Sequence, residues 1–256
     1  MHKPRALQYR IRLTTNEKKE HKEKGLLFWL FSAFFSFLFV LFVQWVFPNA
    51  IPFDTFQFFS DNQIIAGIKA SWPIFAWGIG VTAIVSAVTR NKRSVNHKAE
   101  EVLVGGLVVS VIAGLFEELV FRWAIFLSGI AGMKLTNWLF FGFLGFGLAE
   151  FLHNWVFGPI VNFVTFGKMK WLIFDMGWAV GAAALAANAK FRNEHKYLGP
   201  FGLINSWVIG FFLFWLMFNY GLWTAIIVHF LYDLAIFTIR YLDCAIERHF
   251  KMGTPG

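Results

Sequence analysis

Eight ionisable side chains stand inside or beside long apolar runs: Glu117, Glu118, Arg122, Glu150, His153, Asp175, His229 and Asp233. A charge at the centre of a membrane helix costs about 2.5–3.5 kcal/mol by insertion scales, so such groups mark functional sites by default. Their spacing sorts them. Glu118 and Arg122 are four residues apart with the acid on the N-terminal side, and can neutralise one another and lock helices together. Glu117 is then left without a neutraliser on its own helix. His229 and Asp233, four apart, share a second helix face, and Glu150 and His153, three apart, share a third. Polar faces in lipid converge on one another or on a water-filled cavity, so the three helices are expected to build one buried site. A carboxylate beside imidazoles there can act as a general base toward water, and the expected chemistry is hydrolysis. Asp175, close to Lys170, is expected to be an interfacial, helix-terminal carboxylate.

Composition dictates the elements that carry these groups. Of 256 residues, 57% are apolar and only 15% charged, and 34 Phe with 12 Trp exceed what one soluble core of this length could hide. Most of that surface must face lipid, with Phe, Trp and Tyr as bilayer contacts and interfacial anchors. The net charge of +8 does not call for nucleic acid. Its basic residues cluster before position 25 and in Arg90–Lys98, the flanks of apolar runs, as orientation by positive charge requires. Cys244 has no second cysteine to pair with, and no Cys/His cluster has zinc-finger spacing.

Residues 1–24 read as a basic cytoplasmic arm. The uncharged run Gly25–Phe47, at about 1.5 Å per residue, is long enough to cross a bilayer core. A second run, Ala70–Thr89, ends at the basic loop Arg90–Arg93, so arm and loop are both expected inside. Further runs are Val102–Ile130, Trp138–Phe157, Trp171–Ala189, Phe201–Tyr220 and Leu222–Ile239, the last two joined tightly enough at Gly221 to form a helical hairpin. Seven crossings would leave the basic flanks at Lys190–Arg192 and Arg240–Lys251 on conflicting sides, and a re-entrant piece in Gly158–Gly167 would make eight. The expected fold is an all-α, polytopic transmembrane helical bundle of seven to eight spans. It comprises the arm (1–24), two N-terminal transmembrane helices (25–99), a catalytic core (100–240) and a short tail (241–256), in the cell membrane with the N-terminus cytoplasmic.

Glu117-Glu118-Leu119-Val120-Phe121-Arg122 reads E-E-x-x-x-R, and His229-Phe230-Leu231-Tyr232-Asp233 reads H-x-x-x-D in a late span. With this pair of motifs the sequence resembles the CPBP family of intramembrane proteases. That family, also called Abi, includes the type II CAAX prenyl endopeptidases and proteins linked to bacteriocin processing and self-immunity. The likeness runs from Val102 to Ile239 and includes Tyr220-Gly221-Leu222-Trp223 ahead of His229. It implies a peptidase in which Glu117 and a middle-motif histidine activate water while His229 stabilises the oxyanion. Asp233 either donates a hydrogen bond when protonated or orients His229.

The family's middle motif is F-x-x-x-H, and here Phe146 is followed four residues later by Glu150, with His153 three further on. Either His153 supplies the imidazole from the next turn, or Glu150 fills the position and the site is altered. A literal F-x-x-x-H at Phe191–His195 lies in the charged stretch Lys190–Lys196 and is set aside in favour of His153. A Glu/His/His set can ligate zinc, but no compact H-E-x-x-H unit is present and no metal or other cofactor is expected. The expected partners are a peptide or protein substrate in or at the membrane and the lipid bilayer. Two rival readings are an inactive homologue that binds a partner in bacteriocin immunity, favoured by Glu150, and a proton-coupled transporter, for which similar halves with broken helices would be needed.

Overall fold

The computed structural model describes residues 31, 34–60, 63–89 and 99–252. The basic arm, the start of the first apolar run, the loop 90–98 and the end of the tail lie outside the described residues. Among the described residues every regular element is helical. Helix α1 spans Phe34–Val46. Helices α2 (Ile64–Ala70) and α3 (Trp72–Thr89) meet at a 46° bend. There the Ser71 hydroxyl donates to the Gly67 carbonyl at 2.6 Å, and Pro73, which has no N–H, opens α3. The long helix α4 runs through Ala99–Ile112, Ala113–Ile125 and Phe126–Leu139. Its middle stretch is π-wound, with i→i+5 hydrogen bonding that widens the turn around Glu117 and Glu118.

Two apolar runs that read as single spans are broken. The run Trp138–Phe157 stops at Leu139 and turns through Phe141 and Gly145, both left-handed at φ 69° and 90°. It restarts as α5, built from Leu148–Leu152, His153–Phe157 and Gly158–Val164. Likewise Trp171–Ala189 is cut at Gly177 (φ 94°) into the turn Trp171–Asp175 and the helix α6 (Trp178–Glu194). Small residues let α6 sit in the middle of the bundle, where Ala179, Ala183, Ala184 and Ala187 are all buried. Helices α7 (Gly199–Tyr220) and α8 (Leu222–Met252) form the hairpin expected around Gly221, whose φ of 88° suits a residue without Cβ.

Among the described residues three helical stretches are long and apolar enough to cross a membrane: Leu103–Leu139, Lys196–Tyr220 and Leu222–Ile246. The bent pair α2–α3 raises the number to at most four by the same measure. Close approach of α8 to its neighbours depends on glycine. A Cβ on Gly114 of α4 would lie 3.0 Å from the Ile226 carbonyl oxygen and the Phe230 nitrogen of α8. On Gly78 of α3 it would strike the Tyr232 ring. Small residues at such crossings let backbones pack in the absence of a hydrophobic driving force between helices. Gly114→Val is therefore expected to push α4 off α8 and to destabilise the fold by about 1–3 kcal/mol, the usual range for overpacking. Thermal unfolding of the detergent-purified protein reads this, with Gly80→Val as control because no atom lies within 4 Å of a Cβ there.

Candidate functional site

Glu118 joins α4 to α8. Its Oε1 accepts a hydrogen bond from His229 Nδ1 at 2.7 Å and lies 3.1 Å from Arg122 Nη1 one turn along. Glu118 and Arg122 are fully buried. The Arg122 guanidinium stacks 3.9 Å over the Phe191 ring of α6 and faces Phe214 of α7 at 5.9 Å. Its Nε and Nη2 have no hydrogen-bond partner among the described residues, so the aromatic faces stand in for part of the missing solvation. An ionised carboxylate only accepts hydrogen bonds, so Glu118 fixes the proton of His229 on Nδ1. The other nitrogen, Nε2, is left 3.7 Å from Asp233 Oδ2.

The α6 terminus supplies a second histidine. His195 ends the helix, and its Nδ1 donates to the Phe191 carbonyl oxygen at 2.8 Å. That bond fixes its tautomer as well and turns Nε2 toward Glu117 Oε2, 3.8 Å away. The Glu117 oxygen is itself buried and accepts no hydrogen bond among the described residues. Phe191 organises this corner, with its ring under Arg122, 4.7 Å from the His195 ring and 6.0 Å from that of His229. Glu117, His195, His229 and Asp233 all line one cavity of about 600 Å³, walled by α3, α4, the end of α6, α7 and α8 and otherwise largely apolar.

The structure brings together Glu117, Glu118, Arg122, His229 and Asp233, but it does not bring Glu150 or His153 to them. His153 is buried outside the cavity, donating from Nε2 to the Ile173 carbonyl at 2.9 Å with Phe174 beside its ring. Glu150 sits near the start of α5, where its backbone N–H is held by Asn137 Oδ1 at 2.9 Å, and its side chain is not part of the cavity lining. His195, and not His153, is the histidine that faces Glu117. The break at 140–147 swings α5 outward against the end of α4 and the turn Trp171–Asp175, so its polar face looks at those elements rather than at α8. Asp175 is exposed at the end of that turn.

Sequence reasoning set His195 aside, although it stands in the literal F-x-x-x-H of Phe191–His195. The surrounding Lys190, Arg192 and Lys196 read as a solvated flank, yet the helix end they belong to folds over Glu117. Tyr197, which stacks near His195 with ring centres 6.2 Å apart, and Asn205 also line the cavity without having been singled out. Among the described residues no group of three or more His, Cys, Asp or Glu is arranged to hold a metal ion. No family model, curated protein or solved structure matches the chain. What fold and site define by themselves is a helical protein with membrane-length apolar helices around a cavity that carries two carboxylates and two histidines.

Removing one partner of a buried ion pair typically costs about 3–5 kcal/mol because the other charge is stranded. Arg122→Met is accordingly expected to lower the unfolding temperature far more than Arg240→Met, whose parent side chain is exposed. Adding Glu118→Gln to Arg122→Met should recover part of the loss, since the neutral amide removes the carboxylate charge that Arg122 had balanced. Thermal melts of the three variants decide it, and no recovery in the double variant would speak against the pair as the cause.

Proposed function

We propose that the protein is a multi-pass intramembrane endopeptidase that hydrolyses a peptide bond of a membrane-associated substrate with a glutamate-activated water. The observation that carries this reading is the facing of Glu117 Oε2 and His195 Nε2 at 3.8 Å in the cavity that also holds His229 and Asp233. With Nδ1 of His195 committed to a carbonyl, Nε2 of the neutral ring and the Glu117 carboxylate are both acceptors. A water lying against both donates one hydrogen bond to each and keeps a lone pair for the substrate carbonyl carbon. As the new C–O bond forms, the proton passes to Glu117 and the carbonyl oxygen becomes an oxyanion. Protonated His229 can donate to that oxyanion from Nε2, held in orientation by Glu118 behind it and Asp233 beside it. Collapse breaks the C–N bond, and the proton held by Glu117 goes to the departing amine.

The resemblance to the CPBP family supports the same assignment once Phe191–His195 is taken as the middle motif, beside E-E-x-x-x-R and H-x-x-x-D. Glu150, the feature that favoured an inactive homologue, is outside the cavity. The multi-pass arrangement, with seven to eight crossings and a cytoplasmic N-terminus, rests on the apolar runs and their basic flanks. The aromatic residues displayed around the bundle, among them Trp155, Phe163 and Phe166, favour a lipid surrounding.

Glu117→Gln is expected to abolish cleavage of fluorogenic casein in detergent micelles while the unfolding temperature stays near that of the wild type. Wild-type turnover by this variant would sink the mechanism. General-base contributions are typically about 10²–10⁴-fold, so His195→Ala should lose at least about 100-fold in kcat/KM. His153→Ala should lose much less, because that ring holds only a backbone carbonyl.

A further inference from the structure

Asn205, on the cavity-facing side of α7, has its amide oriented by two donors that converge on one atom. The indole N–H of Trp77 in α3 donates to Oδ1 at 3.1 Å, and the hydroxyl of Tyr232 in α8 donates to the same oxygen at 2.8 Å. An indole N–H cannot accept, so the atom it meets must be the amide oxygen, and the orientation of the side chain is settled by chemistry. The Nδ2 amino group with its two protons is left over, with no partner among the described residues, while Asn205 lines the same cavity as Glu117 and His195. Tyr232 lies three residues from His229 on α8, a rise of about 4.5 Å, and both line the cavity with Asn205, so the free amide and the Glu117–His195 pair open on the same space.

A peptide drawn into a largely apolar cavity loses water from its backbone carbonyls, and each needs a donor in return. Resting on the endopeptidase reading, we propose that Asn205 is a substrate-binding residue whose Nδ2 donates to a backbone carbonyl of the bound peptide, with Trp77 and Tyr232 holding it in place. The site thereby takes an extended, unfolded segment, because a helical one has its carbonyls already engaged. The arrangement also ties α3, α7 and α8 together at one side-chain oxygen, so the wall of the cavity and its donor are set by the same contact.

Substitution can separate the donor from the clasp. Asn205→Asp keeps two acceptor oxygens for Trp77 and Tyr232 and removes both donors, whereas Trp77→Phe and Tyr232→Phe each weaken the clasp and leave the donors. Binding of fluorescein-labelled casein is read by thermophoresis in the Glu117→Gln background, and KM and kcat for casein are read in the active background. The expected result for Asn205→Asp is a Kd and a KM each raised about tenfold with kcat little changed, the size of one ordinary hydrogen bond. Trp77→Phe should shift both far less. If Asn205→Asp binds and turns over casein like its parent while the clasp variants are impaired, Asn205 is structural only and the inference is overturned, leaving the endopeptidase reading intact. If the parent binds casein but the wild type never cleaves it, that reading fails, and a tenfold loss of binding in Asn205→Asp still upholds the donor. Should Asn205→Asp unfold, Asn205→Ala against the double variant Trp77→Phe/Tyr232→Phe gives the same contrast, since both lose the clasp and only the first loses the donors.

Discussion

A single carboxylate oxygen, Oε1 of Glu118, carries the constraint on which the rest of the arrangement depends. It holds Arg122 of its own helix and His229 of a helix 111 residues away, in a place from which solvent is excluded. In low dielectric an uncompensated charge is expensive, so α4 and α8 have few relative positions in which all three side chains can be satisfied. The same bond decides which nitrogen of His229 bears the fixed proton and which faces the cavity. One interaction serves two ends there: the pair that neutralises a buried charge also sets the tautomer of the ring beside the cavity.

Packing around that joint follows from residues with little or no side chain. Gly114 lets α8 approach α4 to backbone distance, Gly78 leaves room on α3 for the Tyr232 ring, and the alanines of α6 allow that helix into the middle of the bundle. Phe191 then fills the space between three charged or titratable groups with one ring. Its carbonyl orients His195 while its face covers Arg122, so one residue touches both the buried ion pair and the cavity-facing histidine. The π-wound stretch of α4 separates the roles of two adjacent glutamates, with Glu118 turned into the bundle and Glu117 turned toward the cavity.

Much of this was legible in the residues. Long apolar runs, glycine at the α7–α8 turn and the four-residue spacings of Glu118 with Arg122 and of His229 with Asp233 follow from local rules of helix geometry and hydrophobicity, and the structure has them. Glu117, left over once Glu118 is paired, was also readable as the free carboxylate. These features need only neighbours one turn apart, which is the range over which a helical sequence carries information about its own contacts.

The sequence by itself determined the helical character, the apolar surface and the pairs within a single helix. Only the tertiary structure decided which histidine stands opposite Glu117. Glu150 and His153 share a face by spacing, but the left-handed turn at Phe141 and Gly145 redirects α5, and that face meets a carbonyl of the turn Trp171–Asp175 instead of the cavity. His195 sits among basic residues that resemble a solvated flank, and only the path of α6 through the bundle delivers its end to Glu117. Periodicity reports which side of a helix a residue occupies; what lies across from that side depends on chain reversals set by a few backbone angles and on close helix crossings, neither of which is written in the spacing of the side chains.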